Sequence, residues 1–391
     1  MRPTRLPHII LVWLVVGVGL HLAAAAATST LSDELWQGFT SRINLQAFGL
    51  VQQPVDSRVN PGNVLNLPRY QAEVDIRPDL RLTFRRLEVS IKPRLELRWQ
   101  QWEEGSRQGD RDTEVETFVH EWLVRYRMSE QLFASYGREN LQWGPAHLLS
   151  LSNPFNAANG QNNPRIEVPG LDYSRVVWIP SREWTVSVIA NTDEGRFAQR
   201  QDFHRTYAVK LDYNAQRTYV SLIPAYREDG VFRLGFFTGW TVSDALLLHM
   251  EGSIPEHIDD TAILVGGSYT FTLGPTIVIE FLHDGSGCRR EPIGRCVAPG
   301  TGIVAPTSGL IRQHYVLVQY THTHLQDRLN LTLRWMHNLD DTVNRLIGII
   351  DYELGDHIQL FVIGNVNTGG KQVEFGSLVD YAVMAGVSYT F

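Results

Sequence analysis

The chain has 391 residues, with 43% hydrophobic and 10% aromatic residues, and its 35 basic and 42 acidic residues give a net charge of −7. This acidic balance argues against a nucleic-acid partner, because binding to phosphates needs a basic surface. The length fits two soluble domains or one large barrel, whose polar interior would bring the average hydrophobicity down to that of a globular protein.

The N-terminal segment has the pattern of a secretory signal peptide. Arg2 and Arg5 precede an apolar run over residues 9–22, and small residues follow at 23–27. The run is shorter than the roughly 20 residues that a membrane-spanning helix needs, which disfavours that alternative. We therefore predict a signal peptide over residues 1–27 and an exported β-barrel over residues 28–391. Loss of Arg2 and Arg5 changes the charge from −7 to −9.

Beyond residue 38 the chain alternates apolar and polar side chains in segments separated by turn residues. The clearest segment spans residues 87–99, where one face is apolar and the other is almost entirely charged. Residues 70–77, 206–213 and 329–335 show the same pattern. A strand of a soluble β-sandwich alternates in the same way, but the repetition along the chain favours a wall between lipid and water.

The connections between these segments also alternate in length. Short turns are predicted at residues 77–80, 129–131, 180–183, 214–217, 242–244, 273–275, 325–327 and 354–356. The intervening connections are usually longer, at residues 51–66, 100–113, 139–170, 192–203, 253–260, 285–312 and 367–376, with tight ones at 228–230 and 339–341. Outer-membrane barrels have short periplasmic turns and long external loops. The sequence therefore predicts an all-β, transmembrane antiparallel barrel of about 16 to 18 strands, with both termini in the periplasm.

The longest connection, residues 139–170, is predicted to narrow the channel. A barrel of this size is too wide for its wall side chains to fill, so an aqueous pore is expected. The connection contains Trp143, Gly144, Asn153 and Phe155, residue types that form compact turns. We expect it to fold inward as a constriction loop; the alternative is a loop that rests on the barrel rim.

Basic side chains dominate the predicted luminal faces of the early strands. The candidate pore-lining residues are Arg86, Lys92, Arg94, Glu96, Arg98, Glu121, Arg125, Arg127 and Arg138. Rows of Arg and Lys make pores favour anions. The alternative is that these charges pair across strands with Glu88, Glu96 and Glu121 and only stiffen the wall.

The two cysteines, Cys288 and Cys296, lie in one Gly- and Arg-rich segment. Export makes a disulfide between them plausible, and a metal site is the weaker interpretation because the segment offers too few further ligands. We predict no metal and no cofactor.

The sequence contains none of the common hydrolase, zinc-protease or phosphate-loop motifs. His283 and Asp284 stand near Ser286, but adjacent strand residues point to opposite faces. His314, His322 and His324 share strand parity with apolar residues, so scattered histidines are favoured over a metal site. We predict no catalytic residues.

Residues 380–391 alternate strictly and stop on Phe391, with Tyr389 two residues before it. This ending resembles the C-terminal signature of Gram-negative outer-membrane barrels. The resemblance implies a location in the outer membrane, contact with its lipid and lipopolysaccharide, and recognition of Phe391 by the barrel-assembly machinery.

A second, local resemblance lies in residues 137–155, where Gly137, Arg138, Trp143, Gly144 and the run Asn153-Pro154-Phe155 are similar to a pattern seen in porin-like families, among them capsule-assembly surface proteins. That family would imply a barrel that binds surface polysaccharide, with a periplasmic helical bundle before it. No counterpart of the bundle is present in this sequence, which disfavours the alternative.

The sequence as a whole predicts a porin-like channel for passive diffusion of small hydrophilic solutes, with a preference for anions if the basic residues stay unpaired. The first alternative is a non-conducting barrel associated with envelope or capsule polysaccharide, and a barrel enzyme is the second. A homo-oligomer is compatible with the sequence but is not indicated by any residue.

Overall fold

The computed structural model describes residues 30–157, 163–196, 203–289, 292–296, 310–325 and 327–391. The predicted signal peptide, residues 1–27, lies outside these ranges.

Helix α1 (Thr30–Gly38) precedes eighteen strands, and α2 (Ile293–Cys296) lies between β13 and β14. The strands are β1 (Phe39–Pro54), β2 (Tyr70–Phe84), β3 (Leu87–Gln101), β4 (Arg111–Arg127), β5 (Leu132–Glu139), β6 (Leu171–Trp178), β7 (Trp184–Asp193), β8 (Thr206–Asn214), β9 (Thr218–Arg227), β10 (Phe232–Thr241), β11 (Leu246–Pro255), β12 (Ala262–Thr270), β13 (Thr276–Asp284), β14 (His314–Leu325), β15 (Leu329–Asn338), β16 (Val343–Glu353), β17 (Ile358–Asn367) and β18 (Val379–Thr390). Short 3₁₀ helices lie at Pro61–Asn63, Gly105–Arg107 and Ile258–Asp260.

The strands form one closed antiparallel barrel. Each strand pairs with its neighbours in sequence, and β1 pairs with β18 from Asn44↔Thr390 to Pro54↔Val379. The backbone of Phe391 exchanges hydrogen bonds with Ile43, at 2.8 and 3.0 Å. Closure leaves no edge unpaired among the eighteen strands of the described residues, which a barrel in lipid requires. The predicted fold class is confirmed, with 18 strands.

Strand alternation separates an apolar exterior from an interior that is polar along part of its circumference. In β3 the side chains of Leu87, Leu95 and Leu97 are exposed on the outside, while Arg94 is buried on the inside. In β18, Val383, Val387 and Tyr389 are exposed outward. An exposed apolar band around a closed barrel is stable only in lipid.

None of the helices in the described ranges combines the length and the apolar character needed to cross a membrane.

The predicted turn at residues 77–80 is wrong. Strand β2 continues through it to Phe84, and the turn is formed instead by the residues between Phe84 and Leu87. Pro78 misled the prediction, because proline usually ends a strand. The pairing of β2 with β3 skips from Ile76↔Leu95 to Leu80↔Ile91, and Pro93 of β3 lies within this gap. Neither proline has an N–H to donate, so the two strands pass each other there without a ladder hydrogen bond.

Candidate functional site

The described residues between β5 and β6, 140–157 and 163–170, fold into the barrel; we call this segment the inner loop. Its described residues contact luminal side chains around much of the circumference. The partners are Arg77 on β2, Arg94 on β3, Glu251 on β11, Glu280 on β13, Asp351 on β16 and Met384 on β18. Contacts on so many strands require the inner loop to cross the lumen, so the alternative of a loop resting on the rim does not describe this structure.

Two fully buried carboxylates hold one side of the inner loop. Glu251 accepts hydrogen bonds from the backbone N–H of Ser152 at 2.9 Å and from the hydroxyls of Ser152 and Ser150 at 2.7 and 3.1 Å. Glu280 accepts the backbone N–H groups of His147 and Leu148 at 2.7 and 2.9 Å. Both carboxylates are 0% exposed. Charge-assisted hydrogen bonds of this kind are stronger than neutral ones, so they fix the path of the loop backbone.

Arg94 holds the opposite side of the inner loop at the break between β2 and β3. Its guanidinium donates to both carboxylate oxygens of Glu167 at 2.7 Å and to Asp79 at 2.9 Å. It also donates to the carbonyl oxygens of Pro78 and Pro93, both at 2.9 Å. The side chain therefore satisfies carbonyl groups beside the gap in the ladder and ties the loop to the wall. A second ion pair joins Arg165 of the loop to Asp351 of β16.

The four predicted constriction-loop residues lie inside the barrel and shape the inner loop. Asn153 donates to the carbonyl of Leu141 at 2.8 Å and accepts from the N–H of Phe155 at 3.0 Å. The ring of Phe155 packs between Trp143 and Tyr173, with centroid distances of 6.0 and 5.0 Å. Gly144 has φ +91°, and a Cβ there would collide with the carboxylate of Glu251. Close approach and a positive φ both require glycine at this position.

The inner loop buries the apolar part of the lumen. Its residues Ala146, Leu148, Leu149 and Leu151 join a cluster with luminal side chains of β12 to β18, which we call the apolar wall: Leu264, Leu282, Leu317, Met336, Ile347, Ile349, Phe361, Ile363 and Met384. A second cluster packs Phe155 against luminal residues of β6 to β10. Water is excluded from these surfaces.

The luminal faces of β2, β3 and β4, which we call the charged wall, remain partly accessible to solvent, although Glu73, Asp75 and Arg94 on them are buried. Side-chain exposure is 36% for Lys92, 30% for Arg98 and 34% for Arg125. Glu96 and Glu121 lie on the same surface at 17% and 19%. Water therefore reaches this side of the inner loop.

Most predicted pore-lining cations have a carboxylate partner. Lys92 contacts Glu121 at 2.5 Å, Arg98 contacts Glu73 at 2.7 Å and Glu96 at 3.0 Å, and Arg125 contacts Glu88 at 3.4 Å. Arg138, at the outer end of β5, pairs with Asp172 at 2.8 Å. Arg127 lies over the ring of Phe133, and Arg86, in the turn before β3, donates to the carbonyl of Met128. These geometries match the cross-strand alternative more closely than a row of unpaired cations.

The external segment after β13 carries the cysteine pair. Cys288 and Cys296 form a disulfide, packed with Ile293, Val59 and Ile311. The nearby His283 hydrogen-bonds to His314, whose other ring nitrogen contacts Asp340, both at 3.0 Å. Asp284 instead accepts from the hydroxyl of Ser286. His283 and Asp284 thus have separate partners.

No protein-family model matches the chain, and no curated protein matches its sequence. Solved structures do match over nearly the whole length. OprD of Pseudomonas aeruginosa has a TM-score of 0.58 at 9% identity, covering 91% of this chain and 94% of that one. OccK7 (OpdD) of the same organism has a TM-score of 0.58 at 12% identity, covering 90% and 98%. OccAB3 of Acinetobacter baumannii has a TM-score of 0.57 at 9% identity, covering 91% and 99%.

The chain has the porin fold. The likeness in fold agrees with the closed 18-stranded topology and with the apolar exterior. At this level of sequence identity it extends to the fold alone, so the functional assignment of this barrel depends on its own lumen.

Sequence reasoning missed the residues that anchor the inner loop. Glu251 and Glu280 were not among the candidates, nor were Glu167 and Asp351. A signal was present for Glu280, because it is the one charged residue in the run 277–282, between Ile279 and Phe281. A charge on the luminal face of such a strand needs a partner from elsewhere in the chain.

Proposed function

We propose that this barrel is a channel for passive diffusion of small hydrophilic solutes, and that the aqueous path runs between the charged wall and the inner loop. The single observation behind the proposal is the unequal exposure of the lumen. Leu264, Leu282 and Leu317 on the apolar wall are 0% exposed, whereas Lys92 and Arg125 on the charged wall are about one-third exposed. The constriction role of Trp143, Gly144, Asn153 and Phe155 is part of this proposal, since they set the shape of the inner loop.

The test is planar-bilayer conductance of the purified, folded protein, followed by swelling of proteoliposomes in sugars of graded size. Stepwise currents and size-dependent sugar entry support the channel. The absence of steps in repeated insertions of folded barrel overturns it.

A preference for anions is the finer part of the proposal, and we place it at the periplasmic half of the charged wall. Arg81, Arg125 and Arg127 lie there, with Glu88 as the near carboxylate of the first two. The reversal potential in a salt gradient measures this preference, and Arg125→Glu should shift it toward cations. A cation-selective sign in the unmodified protein would contradict the anion preference without affecting the channel.

The polysaccharide-associated barrel remains the alternative, but the residues behind that resemblance serve the inner loop. Asn153 and Phe155 are 1% and 4% exposed, so an external glycan does not reach them in this structure. A barrel that conducts nothing and is retained on immobilised envelope polysaccharide would establish this alternative.

We also propose that the exterior contacts outer-membrane lipid and lipopolysaccharide and that Phe391 is the recognition residue for barrel assembly. Phe391 is 56% exposed, and its ring lies beside that of Tyr389 at the closing strand. Phe391→Ala should lower the yield of folded barrel in cells, while in vitro folding into detergent stays unchanged. Light scattering of the detergent-solubilised protein tests whether the barrel forms a homo-oligomer, and intact-mass measurement of the exported protein tests the cut after residue 27.

A further inference from the structure

The charged wall carries its two signs of charge in separate halves along the barrel axis. One half lies toward the external loops and the other toward the periplasmic turns. The external half holds Glu73, Asp75, Glu96, Glu114 and Glu116. Register places Glu73 opposite Arg98 and Asp75 opposite Glu96 in β3, and Glu96 opposite Glu116 in β4. Asp75, Glu96 and Glu116 therefore form a row of three adjacent carboxylates.

Among the described residues, the cations of the external half are fewer than its carboxylates. Arg98 lies between Glu73 and Glu96, at 2.7 and 3.0 Å. Arg196, from the external loop after β7, reaches Glu116 at 3.1 Å. Two guanidinium groups of this half face five carboxyl groups, so the formal charge of the external half is negative.

The periplasmic half has the opposite balance. The positive side chains on its luminal face are Arg77, Arg81, Lys92, Arg94, Arg125 and Arg127. Within the described part of the chain, the wall contributes the carboxylates of Asp79, Glu88 and Glu121, and the inner loop contributes that of Glu167. Glu139 of β5 also lies near Arg125 and Lys92, but it forms an ion pair with Arg175 of β6 at 3.2 Å.

The boundary between the two halves falls at the gap in pairing beside Pro78 and Pro93. Arg77 lies at this boundary and contacts Asp75 of the external half at 2.6 Å. Assigning Arg77 to the external half leaves three cations against five carboxylates there, and five cations against these four carboxylates on the periplasmic side. The sign of each half is therefore the same with either assignment.

We propose that the lumen is a bipolar channel that rectifies ionic current, with an external half that gathers cations and a periplasmic half that gathers anions. Two fixed charges of opposite sign in series enrich opposite ions on either side of a junction. A voltage with the external side positive drives both ions toward the junction and raises conductance, and the reverse voltage depletes them. This inference rests on the proposed channel function.

The experiment compares currents at equal positive and negative voltages in symmetric KCl. At about 0.1 M salt the Debye length is about 10 Å, and at about 1 M it is about 3 Å. We expect the full chain to pass unequal currents at low salt, by roughly twofold, and nearly equal currents at high salt, where the wall charges are screened.

Two double variants test whether the wall charges cause the unequal currents. Glu114→Gln with Glu116→Gln removes charge from the external half, and Lys92→Gln with Arg125→Gln removes it from the periplasmic half. Each pair should bring the low-salt current ratio toward one, whereas Glu130→Gln in a periplasmic turn should leave it unchanged. Stepwise currents that are symmetric at both salt concentrations overturn the inference and leave the channel standing. The absence of any steps overturns the proposed function and this inference with it.

Discussion

The charged wall and the apolar wall are built from strands of the same kind, yet one meets water and the other is covered by protein. In both, every second residue faces the lumen. On the charged wall these residues are mostly Arg, Lys and Glu, and on the apolar wall they are mostly Leu, Ile, Met and Phe. An apolar luminal surface is stabilised by about 25 cal/mol for each Å² removed from water, so it recruits Leu148, Leu149 and Leu151 of the inner loop.

An interior that faces away from lipid is therefore not automatically in contact with water. The charged wall stays in contact with solvent because its charged side chains pair with one another across strands, for example Arg98 with Glu73, and need no other part of the chain to cover them. The inner loop divides the lumen because it has apolar side chains toward one wall and Glu167 toward the other. Substitutions at either attachment should therefore change how the inner loop divides the lumen into a solvated part and a covered part.

The largest effect is expected from the double variant Glu251→Ala and Glu280→Ala. At least four backbone N–H and hydroxyl groups of the inner loop would lose buried acceptors, at a total cost above about 4 kcal/mol. We expect a lower denaturant midpoint by tryptophan fluorescence, faster proteolysis within residues 140–170, and larger, noisier single-channel currents. Glu130→Ala, in an exposed turn, is the matched control. An unchanged proteolysis pattern in the double variant would show that the apolar contacts suffice to hold the loop.

Arg94→Met should have the next largest effect. It keeps the length of the stem but removes the guanidinium from Glu167, Asp79 and two proline carbonyls, which should cost about 3 kcal/mol. The loop should detach from the charged wall while remaining on the apolar wall. Denaturant unfolding measures the loss, and Arg98→Met, which removes a partly exposed guanidinium on the same strand, should cost less. Equal losses for the two variants would argue against the special role of the break between β2 and β3.

Gly144→Ala should be milder, with about 2 kcal/mol lost because the new methyl group meets the carboxylate of Glu251. Gly109→Ala provides a close control. Gly109 has a similar φ of +84°, but no atom lies within 4 Å of the position that its new methyl group would take, so the cost there should be the backbone strain alone, about 1 kcal/mol. The difference in unfolding free energy between the two variants measures the close approach to Glu251. A difference of zero would contradict that explanation.

The smallest effect is a local pH dependence in the external loops. Burial raises the pKa of Glu374 to about 7, although Tyr315 donates to it at 2.6 Å and the N–H of Ile311 at 2.8 Å. Because the folded-state pKa lies above the unfolded value, the stabilising protonated form is fully present at low pH. The stability is lost as the pH rises from the unfolded value through about 7.

Hydrogen exchange of the segment around Ile311 should therefore be faster above pH 7 than below it, after correction for intrinsic exchange rates. Glu374→Gln should abolish this change, since it removes the titrating group and retains the hydrogen-bonding side chain. A pH dependence that persists in Glu374→Gln would assign it to another group.

The amino-acid sequence by itself determined the barrel. Alternation at a period of two is a local property, and it predicted the apolar exterior of residues 87–99, the arrangement of short turns and long loops, and a strand number that includes the observed 18. It failed at residues 77–80, because a proline inside a strand has the same local pattern as a proline in a turn.

Only the tertiary structure decided how the lumen is filled. The sequence placed Arg94 and Arg98 together as pore-lining cations, but Arg94 is buried against Glu167, which lies 73 residues away, while Arg98 stays partly exposed. The path of the inner loop depends on Glu251 and Glu280, which lie about 100 residues or more beyond it. A strand period reports which face a residue occupies, whereas partners so distant in sequence are fixed only when the barrel closes and brings the two walls face to face.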